Sequence, residues 1–302
     1  MRRELDVART IVPDFPSSAG RPFRKPDEEL LARRDDIVAA ARDLDAPEAT
    51  ELAARTWRLW MAARDFDGGR GFVHELLDVR EPVQSRWRSL ALYGDGVFAF
   101  WQGAPEDTRR RSEEALELAQ RLEDAEALVL AHLGLSRALL IDGDISGARE
   151  HAAAACAGAE PFGDAMVQGP IHMHAQSVRL SADFDEAAGL FEQSLALNER
   201  LGAQGMVNVE HHNLGHVEIH RGNVDSAVRH FAQIPHSDDD YSEAMANLNE
   251  ASVAFSRGDV VRARSLLEAA EPTFAASALA QLAVDDRFEL DWLREQLACA
   301  AS

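Results

Sequence analysis

The strongest restriction on the fold is a spacing. A small residue, or its equivalent, recurs at Gly69, Thr108, Ala148, Ala187, Ala227 and Ala263, at intervals of 39, 40, 39, 40 and 36 residues. Each lies just after a turn of similar chemistry, in "LIDGDISGARE", "RLSADFDEAAGLF", "IHRGNVDSAVRHF" and "FSRGDVVRARSLL", with looser versions in "ARDFDGGRGFV" and "FWQGAPEDTRRRS". Glycine readily takes the left-handed conformation that ends a helix. The Asp or Asn after it caps the next helix through a side-chain oxygen. The small residue then lets the two helices approach closely enough to pack. An even period of this length, with one helical hairpin per unit, predicts a repeat array whose units bury their apolar faces against their neighbours.

Composition agrees with an all-helical reading. Apolar residues make up 46% of the 302, dominated by Ala and Leu, and β-branched residues never alternate over a strand length. Lys25 is the only lysine, and the net charge is −21. That sign argues against a nucleic-acid backbone as partner and for a self-repelling surface. No apolar run approaches the ~20 residues of a membrane helix. The N-terminus "MRRELDVARTIVPDF" lacks an apolar signal region, so no secretion signal is expected. Cys156 and Cys299 lie far apart with no metal spacing. Reduced thiols in a cytoplasmic protein are the expectation.

The turn segments resemble the tetratricopeptide repeat (TPR), with its small-Gly-Asp-x-x-x-Ala core and an aromatic four residues on, here Phe191 and Phe231. "LFEQSLALNERLG" followed by "HHNLGHVEIHRGN", and "RTWRLWMAARDFDGGRGFVHELLD", are similar to the longer TPR repeats in the sensor regions of large ATP-dependent bacterial transcription regulators of the maltose-regulator type. The resemblance runs from about Ala49 to the C-terminus. It implies an all-α, right-handed TPR-like solenoid of about six helix pairs. No GxxxxGK[ST] phosphate loop and no C-terminal helix-turn-helix reader is present in the sequence, so the ATPase and DNA-binding functions of those regulators are not expected of it. Residues 1–26, with the proline-rich "IVPDFPSSAGRPFRKP", are expected to form an extended arm. A lead-in helix is expected over 27–46, repeats over 47–272, and capping helices with a charged outer face over 273–302.

In the family the first helix of each pair lines the concave groove. Carried over by register, this implies Tyr93, Val97 and Trp101 in the second unit, and Leu133, Arg137 and Ile141 in the third. It implies His172, Met173 and Gln176 in the fourth, and His212, Asn213, His216 and His220 in the fifth. Leu248, Asn249 and Ser252 follow in the last, and Arg55 and Arg58 fall in the first. "VEHHNLGHVEIHRGN" steps His212, His216 and His220 down one helix face, with His211 pointing elsewhere.

Two readings of this row stay open. In the first, the groove binds a protein, peptide or small polar or anionic effector through imidazoles, Asn and arginine forks, as a non-enzymatic and regulatory module. This reading needs no cofactor, no nucleic acid and no membrane, and includes a stand-alone ligand sensor. In the second, His212 and His216 join His172 or His174 to hold a divalent transition metal, in a metal-binding protein or metal-dependent enzyme. No HExxH glutamate lies between the paired histidines. No GxSxG nucleophile elbow or GxGxxG fingerprint is present, and "GDG" at Gly94–Gly96 falls inside a helix.

Overall fold

The computed structural model describes residues 3–11, 31–78, 82–237, 239–276 and 282–300. Among these there are fifteen α-helices, a short 3₁₀ turn and no strand. Helices α1 (Arg3–Ile11) and α2 (Arg34–Asp43) precede six hairpins. The hairpins are α3 (Ala46–Ala62) with α4 (Phe66–Asp78), α5 (Arg86–Trp101) with α6 (Pro105–Arg121), and α7 (Ala125–Ile141) with α8 (Ile145–Ala159). After them come α9 (Asp164–Leu180) with α10 (Phe184–Leu201), α11 (Gln204–His220) with α12 (Val224–Phe231), and α13 (Asp240–Ser256) with α14 (Val260–Ala276). Helix α15 (Leu282–Cys299) follows. No helix is long and apolar enough to cross a membrane among the described residues.

The local chemistry of the turns is as the sequence spacing implies. Asp124, Asp144, Asp183 and Asp259 each accept a hydrogen bond from the backbone N–H three residues on, closing the first turn of the next helix. Gly143, Gly222 and Gly258 carry positive φ at the ends of α7, α11 and α13. Ala182 fills that place after α9 at φ 61°, a conformation a Cβ disfavours. The spaced small residues sit where the hairpins close: Ala148, Ala187, Ala227 and Ala263 have no exposed surface. At Gly69 a Cβ would collide with Phe98 and Trp60, so a helix-weakening glycine is kept for the close approach.

The N-terminal expectation needs a correction. Residues 3–11 are helical, because Leu5 and Ala8 are fully buried and Arg9 binds Glu51 of α3 at 2.6 Å. The rest of the expected arm lies outside the described residues. The lead-in helix ends before Leu44, whose backbone is extended, rather than at 46; its expected start at 27 lies outside the described residues.

The chain forms two compact units, residues 1–173 and 174–302. The first has an aromatic core in which Trp60 stacks on Phe72 at 4.7 Å and Trp57 meets Phe98 edge-on. It also buries an ion pair, Arg111 Nε to Asp95 at 2.5 Å, with Asp95 drawn from the helical "GDG". In the second unit, Ala187, Phe191, Leu214 and Val217 form one cluster. Leu248, Ala263 and Leu267 form another with Leu290, Leu293 and Leu297 of α15. Helix α15 thus covers α13 and α14 with a leucine stripe at helical spacing.

Candidate functional site

The expected groove positions divide between the units. In the first, Tyr93 and Val97 are buried, and Arg137 Nη1 donates to Tyr93 Oη at 2.9 Å. Trp101 stacks on Phe66 at 5.9 Å. Arg55 is buried, bound to Glu51 at 2.8 Å and lying over Trp87. Leu133 and Met173 are buried, while Arg58, Ile141 and His172 are half-buried. His172 and His212 belong to different units. His174 is half-buried at the start of the second unit.

The second unit gathers the rest into one polar layer. Gln176 Nε2 donates to Asn213 Oδ1 at 3.4 Å, and Asn213 Nδ2 to Glu210 Oε2 at 3.4 Å. His216 Nε2 donates to Asn249 Oδ1 at 2.9 Å. His216 is completely buried, and Leu248 and Ser252 beside Asn249 are too. His220 stacks flat on Phe184 at 4.4 Å.

Two residues with no place in the sequence reading complete this layer: Asp286 and Glu289 of α15. Glu289 Oε2 lies 3.3 Å from His216 Nδ1 and 2.9 Å from His220 Nε2, while Oε1 accepts from Arg179 Nη1 at 3.0 Å. Burial alone would raise this carboxyl's pKa. His216, the hydrogen bond from His220, and Arg179 outweigh it and hold Glu289 well below the usual carboxylate range. Asp286 accepts from Tyr241 Oη and lies 3.6 Å from His212 Nε2. The capping helix exposes Asp291, Arg294 and Glu295 on its outer face and buries two further acids against this layer. In this unit the anions beside the histidines are the chain's own.

Beside this layer lies a cavity of about 920 Å³ between α11, α12 and α13, with Asp286 also in its wall. It exists because α12 is short, 8 residues against 18 for α10 and 17 for α14. Pro235 has no N–H to continue the helical ladder, and it biases Ile234 toward extended backbone. Val209, Val228, Phe231, Ile234, Met245 and Val253 give the cavity apolar walls, and Gln176, His212, Asn213, Asn249 and Asp286 give it a polar floor. Phe231 packs so closely on Gly215 that a Cβ there would collide with its ring. Size and lining match those of small-molecule pockets generally. A break in the length of one repeat's second helix was the available sequence signal for the cavity. The acids of α15 had none, because their hydrogen-bond partners lie 45 to 110 residues away.

Among the described residues no three His, Cys, Asp or Glu side chains converge to hold a metal ion. Neither cysteine is in a disulfide, and burial pushes the Cys156 thiol up to about 12.

No family model and no curated protein matches the sequence. Solved structures do match the fold. A Rap protein, crystallised in complex with Competence and Sporulation Factor, is similar at TM-score 0.58 and 13% identity, over 98% of this chain and 95% of that one. A tetratricopeptide repeat protein from Parabacteroides merdae is similar at TM-score 0.52 and 11% identity, over 98% and 99%. At such identities the likeness shows the fold alone: the chain is an all-α, TPR-like array of helical hairpins.

Proposed function

We propose that this protein is a non-enzymatic binding module that captures a peptide, a partner segment or a small polar effector. The observation that carries the reading is the cavity of about 920 Å³, with apolar walls over a floor of Gln176, His212, Asn213 and Asn249. Apolar area supplies affinity there, and the few polar groups fix orientation. The similar Rap structure holds a Competence and Sporulation Factor, which supports ligand capture by this architecture. The likeness of "LFEQSLALNERLG" and its sequel to regulator sensor regions supports a regulatory role. An anionic head group is disfavoured at this floor, because Asp286 and Glu289 already face the histidines.

Equilibrium dialysis against a mixture of short synthetic peptides and small polar compounds, read by mass spectrometry, tests the reading. Ala246 lines the cavity from an exposed position, so Ala246→Trp fills it without disturbing the core. The wild-type chain should retain compounds that the variant does not. Equal retention by both would overturn the proposal.

A further inference from the structure

The cavity floor has a particular hydrogen-bonding demand. His212 is nine-tenths buried in the cavity lining, and neither ring nitrogen has a hydrogen-bond partner among the described residues. A buried polar group left in this state is costly unless something satisfies it. Burial lowers the pKa of this imidazole and holds it neutral, so it carries one N–H and one lone pair. The nearest anion, Asp286, faces Nε2 at 3.6 Å, which orients the N–H to that side and leaves Nδ1 as an acceptor. Oδ2 is used by Tyr241, and because a carboxylate oxygen accepts more than one hydrogen bond, Oδ1 can take a ligand donor besides the N–H that faces it. The floor thus offers an acceptor on His212 and, on the Nε2 side of the ring, a carboxylate.

The surrounding charges point the same way. Arg179 is committed to Glu289 at 3.0 Å. At the rim, Arg262 pairs with Glu250 at 3.0 Å and Arg257 with Asp225 at 3.2 Å, while Asp259 adds a further acid. A ligand carboxylate would meet Asp286 as a like charge and find an acceptor at His212. An ammonium brings three N–H donors and a positive charge to the same spot.

Building on the binding-module reading, we infer that the cavity takes an amphipathic ligand whose head is an ammonium group seated against the Asp286 carboxylate at the floor beside His212. Its apolar body lies along Val209, Phe231 and Met245. A small alkyl or aryl amine and the free N-terminus of a short apolar peptide share this chemistry.

Calorimetric titration of the full chain at neutral pH with phenylbutylamine, phenylbutanol and phenylbutyrate separates the head group from the body. The amine should bind about tenfold or more tightly than the carboxylate, with the alcohol between them. Asp286→Asn should abolish the preference, and Ala246→Trp should weaken all three probes. A trialanine amide with a free N-terminus, compared with its acetylated form, shows whether a peptide source is accepted as well. Equal or tighter binding of phenylbutyrate, or a preference that survives Asp286→Asn, would overturn the ammonium inference and leave the module standing if Ala246→Trp still blocks binding. Failure of all three probes to bind overturns the inference too. Binding that Ala246→Trp leaves unchanged removes the cavity, and the module reading with it. Should Asp286→Asn fold poorly, the wild-type probe series alone decides the sign of the head group.

Discussion

Glu289 sets the character of the second unit more than any histidine does. Its carboxylate is fully buried against Arg179, His216 and His220. Buried pairs of this kind contribute little net stability against an apolar replacement, but losing one partner strands the other charge. Glu289→Ala should therefore destabilise the second unit by about 3–5 kcal/mol in urea unfolding. A loss below about 1 kcal/mol would mean that water, not Glu289, satisfies Arg179. The same scale shows what else single residues hid. His132 and His151 approach at 2.8 Å, and His211 and His230 at 3.1 Å, each pair bridging the two helices of one hairpin. Both pairs are 19 residues apart, so the repeat period contained them, and His211 points "elsewhere" because it points at His230.

Helical hairpins of one type tolerate unequal lengths as long as the crossing point is preserved. Ala187 lies at such a crossing, fully buried with Phe191, Leu214 and Val217 around it. Ala187→Leu should overpack it at a cost of about 1–3 kcal/mol, read as a lowered thermal midpoint. An unchanged melt would show that the hairpin is not closed there. Helix α12 keeps its crossing residue, Ala227, but stops at Phe231. The missing turns leave space that α10 and α14 fill in their own hairpins, and that space is the cavity.

At the scale of the described molecule, five partly or fully buried histidines share one sign of proton linkage, which the raised carboxyl of Asp95 opposes at lower pH. His132, His151, His211, His212 and His230 all have pKa values lowered by burial. Unfolding restores them to about 6.5, so below that pH the unfolded chain takes up protons the folded chain refuses. Their contribution is complete above pH 6.5 and lost as pH falls beneath it. Glu289, with its depressed folded pKa, adds a second loss below its ordinary value of 4.5. Urea unfolding should show stability falling from pH 7 to 5, and His212→Gln should flatten that slope by at most about 1.4 kcal/mol per pH unit. Stability that stays level or rises on acidification would contradict the burial of these rings.

The fold was legible because its determinants are local and repeated. A left-handed residue and a small contact residue, joined in four hairpins by a capping Asp, act within a dozen positions of one another, and a period near 40 displays the pattern six times. The residues that gather at the second unit's polar layer were legible for the same reason, since His212, Asn213, His216 and Asn249 occupy fixed places in the hairpin. What faces them was not legible. Whether a row of imidazoles meets solvent, a metal or a carboxylate depends on where α15 docks, and that docking rests on Leu290, Leu293 and Leu297 packing on α13 and α14. Non-directional apolar burial places the helix, and the acids on its neighbouring face are carried along to Arg179 and the histidines. A contact of that range has no period to betray it, so only the tertiary structure could supply the groove's own anion and the cavity beside it.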